Sequence, residues 1–158
     1  MQSLVLALLT RADEGKALPS VFKGLDKLGA KLRRGEVSLV AAAPGRGKSA
    51  FATTQALNMR YEDGTGVPTI YFSPDSNRRL LGKRILAQLR NIDNDSAEKL
   101  LESQDRPTLR QLDEATQHIW INFDPSPTLN DIEEEMEAYA YVNGEWPHFV
   151  VLDNLRDV

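Results

Sequence analysis

Short, nearly continuous apolar runs alternate along this chain with longer segments in which apolar residues recur every three or four positions. The short runs cover residues 37–41, 69–73, 119–123 and 149–153, the last ending in an aspartate. Runs of this length and composition are typical of strands buried on both faces of a sheet. The pattern therefore predicts an α/β fold in which a parallel sheet carries helices on both faces.

Helical periodicity is clearest in the segment that follows the second run, where Leu81, Ile85, Leu86 and Leu89 fall on one face. Several arginines and lysines crowd the rest of that segment, and a solvated helix surface is the ordinary explanation for such a charge run. Further helices are predicted over residues 50–59, from residue 95, over residues 108–118, and from a cap at Thr128 to residues 143–144.

The N-terminal residues 1–15 form a separate apolar segment, with Leu4, Leu6, Leu8 and Leu9 followed by Gly15. We expect a helix that ends at Gly15 and packs either on its own domain or against a neighbouring subunit. Residues 16–158 then form the core domain, with an irregular lead-in before the first strand. No internal repeat is visible.

Composition narrows the protein classes that fit. The chain has 158 residues, a formal net charge of −4 and no cysteine, so disulfides, thiolate metal sites and cysteine nucleophiles are excluded. The net negative charge argues against a protein that binds nucleic acid through its overall charge, although it does not exclude a local basic patch. No run approaches the ~20 apolar residues of a membrane span, and the start lacks the features of a signal peptide. We therefore expect a cytoplasmic protein without a membrane partner.

A phosphate-binding loop lies between the first predicted strand and the helix after it. The sequence there is Ala-Ala-Pro-Gly-Arg-Gly-Lys-Ser over residues 42–49, which matches the strand–loop–helix setting of such a motif. Backbone N–H groups of the loop and the helix N-terminus would surround a polyphosphate. Lys48 would reach the β- and γ-phosphates of a nucleotide, and the Ser49 hydroxyl would ligate Mg2+. Ala42 replaces the first glycine of the strict motif, which is tolerable if its φ stays negative.

The motif thus predicts ATP and Mg2+ as cofactors. The residues expected to bind the nucleotide are Ala43, Pro44, Gly45, Arg46, Gly47, Lys48, Ser49 and Ala50.

Acidic residues follow three of the predicted strands, at the sheet edge where ligands of parallel sheets bind. Asp153 is the candidate second magnesium residue beside Ser49, although an aspartate there could also cap the next turn. Asp75 is a candidate for positioning the water that attacks ATP, and it is equally well placed to cap the next helix together with Ser76. Asp124 is a weaker candidate that fits a turn before Pro125.

Together these segments resemble the RecA-like ATPase core of DnaB-type replicative helicases. The likeness covers residues 20–158 and rests on residues 24–28, 34–42, 72–75 and 149–153. The family commonly carries alanine where Ala42 stands. Its Phe-Ser-Leu-Glu segment, whose glutamate activates water, aligns with residues 72–75, where this chain has Pro74 and Asp75 instead.

The resemblance implies ATP hydrolysis coupled to action on DNA, by a phage or bacterial relative of these helicases. It also implies a homo-oligomeric ring with ATP at subunit interfaces and an arginine supplied in trans. In that family the DNA-binding loops, expected to contact single-stranded DNA, lie beyond the strand that ends at Asp153. The chain is therefore expected to be truncated after that strand, or to be a minimal relative.

Two other functions fit the same core. A nuclease or a recombinase paralogue would use the RecA-like fold for a different reaction, and a nuclease would need a separate acidic metal cluster. A non-hydrolysing module that assembles upon binding ATP would fit the replacement of the family's glutamate by Asp75.

Overall fold

A computed structural model describes residues 15–153. The chain divides into two compact units, Met1–Val40 and Ala41–Val158. The helix predicted for residues 1–15 lies outside the described residues, apart from Gly15. In the first unit, a short helix α1 covers Lys23–Lys27, and an isolated antiparallel bridge joins Ala17 to Arg33.

The first predicted strand is wrong. Residues 37–41 have no strand conformation, and the Val37 and Leu39 side chains are 100% and 80% exposed. A strand requires a neighbour that accepts and donates its backbone hydrogen bonds, and apolar composition alone does not supply one. The boundary between the two compact units falls within this segment, after Val40.

The second unit alternates helices with three parallel strands. Its elements are α2 Lys48–Asn58, β1 Thr69–Phe72, α3 Arg78–Arg90, α4 Asn94–Ser103, α5 Arg106–Thr116, β2 Ile119–Asn122, α6 Leu129–Asn143 and β3 Phe149–Leu152. The strand order is β2-β1-β3, so β1 is central. In this register Tyr71 pairs with Ile121 on one side and Val151 on the other. The three strands predicted after the loop, and the helices between them, are confirmed.

The side chains of β1 alternate between two apolar layers. Tyr71 packs in a cluster with residues of α2 and α3, including Ala56 and Ile85. Ile70 and Phe72 point to the other face, where they pack with Tyr139 of α6. All four residues of β1 are buried. The sheet thus carries helices on both faces, as the continuous apolar runs predicted.

Side-chain caps fix where four of the helices begin. Asn77 caps α3, Asp93 caps α4 and Asp105 caps α5. Thr128 and Asp131 form a reciprocal capping box at the start of α6, and Gly144 ends that helix with a φ of 75°. The cap predicted at Thr128 is confirmed. The cap of α3 is Asn77, so the alternative role of Asp75 and Ser76 as its cap is wrong.

The cationic surface of α3 is engaged by neighbouring helices. Arg79 forms ion pairs with Glu98 and Glu102 of α4, and Lys83 also pairs with Glu98. Arg90 donates hydrogen bonds to Thr108 and Gln111 of α5. Partly exposed pairs of this kind contribute little stability each, about 0–1 kcal/mol, but they connect α3 to α4 and α5. The expectation of a simply solvated surface is therefore incomplete.

A tight contact beneath the turn before β1 gives a stability prediction. A Cβ at Gly66 would lie 2.2 Å from His118 Cγ and 2.5 Å from an Arg60 guanidinium nitrogen. We expect Gly66→Ala to lower the free energy of unfolding by about 1–3 kcal/mol, because the ring and the guanidinium must move. Urea unfolding would measure the loss. Gly24→Ala is the control, since a Cβ there meets nothing within 4 Å. Equal stability of the two variants would contradict the prediction.

Candidate functional site

Two glycines shape the loop that precedes α2. Gly45 and Gly47 have φ values of 73° and 85°, in the left-handed region that side chains disfavour. A Cβ at either position would meet nothing within 4 Å, so the backbone conformation and not crowding requires glycine. Left-handed residues alternating with right-handed ones turn successive N–H groups toward a common centre, which is how backbone nests bind anions.

The N-terminus of α2 differs from the later helices. Its N-cap is Gly47, which makes no side-chain capping bond, whereas α3 to α6 all begin with a side-chain cap. The first N–H groups of a helix lack partners within the helix. At α2 they therefore remain available, at the positive end of the helix dipole, to an acceptor other than a capping side chain.

Lys48 folds back over the loop. Its ammonium donates hydrogen bonds to the carbonyl oxygens of Ala42 at 2.8 Å and Ala43 at 3.5 Å. Both acceptors are neutral, so a phosphate oxygen, with its negative charge, would be a stronger partner. The loop, its lysine and the start of α2 thus form one local arrangement within the second unit.

Asp153 lies directly after β3 and is 7% exposed. Its backbone N–H donates to the Phe72 carbonyl at 3.0 Å, which continues the pairing of β3 with β1. The Tyr71 hydroxyl donates to Asp153 Oδ2 at 2.7 Å. Burial raises the pKa of the Tyr71 phenol well above its usual range, so the phenol keeps its proton as a donor.

A second hydroxyl connects this pair to α2. Thr53 Oγ1 donates to the Ser49 carbonyl at 2.7 Å and lies 3.2 Å from the Tyr71 hydroxyl oxygen. A run of contacts through Thr53 and Tyr71 therefore leads from the Ser49 main-chain carbonyl to the Asp153 carboxylate, in the two residues predicted to hold magnesium. Sequence reasoning missed both connecting residues. The spacing of four between Ser49 and Thr53, one helical turn, was the available signal for the threonine.

Polar groups also gather after β1. Asp75 is exposed in the turn that leads to α3, and the buried Ser76 hydroxyl accepts a hydrogen bond from Arg84 at 3.0 Å. Ser73 is 1% exposed, and its hydroxyl has no hydrogen-bond partner within residues 15–153. A buried hydroxyl without a protein partner is unusual, and such a group is ordinarily satisfied by an ordered water or a bound polar group.

The other acidic candidate belongs to a turn. Asp124 is exposed, and its carboxylate accepts a hydrogen bond from the Ser126 N–H at 2.9 Å. This geometry favours the turn role that the sequence predicted for it. Across the described part of the chain, no group of three or more His, Cys, Asp or Glu residues could hold a metal ion by itself.

The groups that are present suit a magnesium nucleotide. The loop supplies amides and an ammonium for phosphate oxygens, and the Ser49 hydroxyl and Asp153 carboxylate are oxygen ligands of the kind that Mg2+ prefers. The orphaned Ser73 hydroxyl lies at the same edge of the sheet as Asp153, since β1 and β3 are adjacent and parallel.

The family model of the DnaB-like helicase C-terminal domain matches residues 17–157. The chain belongs to this family. The DnaB-like resemblance drawn from the sequence is thereby confirmed. The RecA-like α/β fold class is confirmed as well, and the parallel β2-β1-β3 sheet with helices on both faces is consistent with it.

Two mycobacteriophage proteins are similar to this DnaB-like chain. It is 35% identical over 154 residues to the Gene 65 protein of Mycobacterium phage L5, covering 96% of this chain and 54% of that protein. It is 33% identical over 122 residues to the Gene 65 protein of Mycobacterium phage D29, covering 76% and 49%. The chain thus spans about half the length of the curated relatives it matches. No solved structure matches it significantly. Within residues 15–153, no helix has the length and apolar character needed to cross a membrane.

Proposed function

We propose that the protein is a P-loop ATPase that hydrolyses ATP to act on DNA as a DnaB-like helicase. The observation that carries this proposal is the loop before α2. There, two glycines with positive φ precede a helix without a side-chain cap, and Lys48 lies over the loop. The family match supports the same conclusion.

Each part of the site has a distinct role in this proposal. The backbone N–H groups of residues 43–50 would hold the phosphates, except at Pro44, which has none, and at Arg46, whose N–H donates to the Ala43 carbonyl at 3.3 Å. Lys48 would neutralise the β- and γ-phosphate oxygens. Ser49 and Asp153 would hold Mg2+, directly or through water. The ion, when bound, neutralises charge that develops on the phosphate oxygens. These residues act by binding and orientation, which is how most catalysis of phosphoryl transfer arises.

Asp75 is the proposed group that orients the attacking water. It lies in the turn after the central strand, and Asn77 is the residue that caps α3. A carboxylate acts on water only within hydrogen-bond reach, and aspartate is one methylene shorter than the family's glutamate. Ser76, held by Arg84, lies next to Asp75 and restrains its turn.

DNA, expected to be single-stranded, and further copies of this chain in a ring are the proposed partners. The net charge of −4 gives no general attraction to DNA. The cations Arg79 and Lys83 of α3 already pair with carboxylates of α4. We therefore propose that the DNA contact lies away from Arg79 and Lys83 of α3.

The second candidate is a module that binds ATP and assembles without turning it over. The shorter side chain of Asp75 favours it, because an aspartate reaches the water less readily than a glutamate. The nuclease alternative has less support, since residues 15–153 contain no acidic cluster able to hold a metal by itself.

DNA-stimulated ATPase activity of the full-length protein tests the proposal. We expect the wild-type protein to hydrolyse ATP faster with single-stranded DNA, and Asp75→Asn to bind ATP normally while losing turnover about 100-fold or more, because a neutral amide oxygen is a far weaker base toward the water proton than a carboxylate. Asp113→Asn, on the exposed side of α5, is the control and should keep its turnover.

The other outcomes separate the alternatives. Tight ATP binding by the wild-type protein without turnover, with or without DNA, would favour the assembly module. Turnover by Asp75→Asn at the wild-type rate would remove Asp75 from the mechanism. DNA cleavage that needs no ATP would favour the nuclease.

A further inference from the structure

The hydroxyls of Tyr71 and Thr53 lie between the two residues that the proposed function assigns to magnesium. Tyr71 is 2% exposed and occupies the central strand β1, so its ring cannot shift without disturbing the core. Thr53 is also 2% exposed, on the first turns of α2. Neither residue belongs to the phosphate loop, and neither follows a strand.

The contacts run continuously from one magnesium residue to the other. Asp153 Oδ2 accepts a hydrogen bond from Tyr71 at 2.7 Å, the two hydroxyls are 3.2 Å apart, and Thr53 Oγ1 donates to the Ser49 carbonyl at 2.7 Å. Each hydroxyl has one proton, so two protons serve three contacts. A carboxylate is a stronger acceptor than a neutral oxygen, so the phenol proton belongs to Asp153. The Thr53 proton then serves either the Ser49 carbonyl or the phenol oxygen, so only two of the three contacts are hydrogen bonds at any moment.

We propose that Tyr71 and Thr53 are positioning residues, which hold the Asp153 carboxylate in a fixed orientation relative to Ser49 and so set the affinity of the site for the magnesium ion of Mg-ATP. This inference rests on the proposed nucleotide function. One Asp153 oxygen is occupied by the phenol, which restricts rotation of the carboxylate. Outer-shell partners of this kind commonly tune metal affinity by about 10- to 100-fold.

A buried tyrosine could instead serve packing alone. Tyr71 contributes its ring to the cluster with Ala56 and Ile85, and phenylalanine would preserve that packing. The distinguishing property is therefore the hydroxyl, and the distinguishing readout is the dependence of nucleotide binding on Mg2+.

The experiment compares the Kd of a fluorescent ATP analogue in Mg2+ with its Kd in EDTA, using full-length protein. We expect Tyr71→Phe to raise the Kd in Mg2+ by about 10-fold or more while the Kd in EDTA is unchanged, so that the ratio of the EDTA value to the Mg2+ value falls by the same factor. Thr53→Val should act in the same direction, and Thr53→Ser, which retains a hydroxyl, should restore the wild-type ratio. Tyr141→Phe, at a position 91% exposed, is the matched control.

The other possible results overturn either the positioning role of Tyr71 and Thr53 or the ATPase proposal itself. A wild-type ratio in Tyr71→Phe and Thr53→Val would overturn this inference while leaving the ATPase proposal intact. An equal loss of affinity in Mg2+ and in EDTA would assign the two residues to packing alone and would also overturn it. Failure of the wild-type protein to bind the analogue under either condition would overturn the proposed function itself. Should Tyr71→Phe not fold, the Thr53→Val and Thr53→Ser pair decides the question.

Discussion

Replacing Lys48 with alanine is expected to lower ATP turnover about 100- to 1,000-fold. The ammonium lies over the loop on the Ala42 and Ala43 carbonyls, where a phosphate would replace these neutral acceptors. Loss of one such preorganised charge-stabilising donor commonly costs this much in rate. Steady-state phosphate release by the full-length protein, with and without DNA, would measure the effect.

The control for Lys48→Ala is Lys99→Ala. Lys99 is an exposed lysine of α4, so its replacement changes the net charge by the same amount without touching the loop. We expect this control to keep the wild-type rate. If Lys48→Ala also keeps that rate, the loop does not bind the transferred phosphate and the ATPase proposal fails.

Replacing Asp153 with asparagine is expected to remove the Mg2+-dependent part of nucleotide binding and to lower turnover about 100-fold or more. The asparagine side chain still offers an oxygen to the Tyr71 hydroxyl, so the fold should be retained. What disappears is the negative charge, and hard divalent cations bind carboxylates far better than amides. Titration of the fluorescent ATP analogue at several Mg2+ concentrations would measure the loss of magnesium-dependent binding. Thermal unfolding would show whether the fold is retained.

Asp124→Asn provides the matched comparison, since Asp124 also follows a strand but accepts a turn hydrogen bond from Ser126. Its Mg2+ dependence should equal that of the wild-type protein. A wild-type Mg2+ dependence in Asp153→Asn would show that the carboxylate after β3 does not hold the ion.

The sequence correctly predicted those elements for which apolar pattern, length and flanking turn residues all indicate the same structure. Strands β1, β2 and β3 were found because their apolar runs are short, bounded by turn residues and paired within one compact unit. Residues 37–41 have the same apolar character but no pairing partner within residues 15–153, and their side chains are exposed. Strand formation depends on a neighbouring strand that is distant in sequence. Composition alone therefore could not distinguish residues 37–41 from the three runs that form strands.

Local ambiguity explains the error at the start of α3. Asp75, Ser76 and Asn77 are consecutive, and each residue type is a good helix cap. Which of the three becomes the N-cap depends on the path of the chain after β1. That path places Asn77 at the N-cap of α3 and Asp75 in the preceding turn.

The connection between Tyr71 and Asp153 could not be read from the sequence for a different reason. The two residues are 82 positions apart, and they meet because β3 pairs with β1 in a register that brings Val151 beside Tyr71. That register is a property of the folded sheet. The phosphate loop, in contrast, is contiguous in sequence, so its residues could be named before its geometry was known.

Calorimetric titration of the full-length protein with Mg-ATP, Mg-ADP and AMP tests most directly whether the loop of residues 42–49 holds a polyphosphate. We expect ATP and ADP to bind about 100-fold or more tightly than AMP, because charge-assisted bonds to the β- and γ-phosphates are worth about 1.5–3 kcal/mol each. AMP binding as tightly as ATP, or no saturable binding of any of the three, would contradict this expectation.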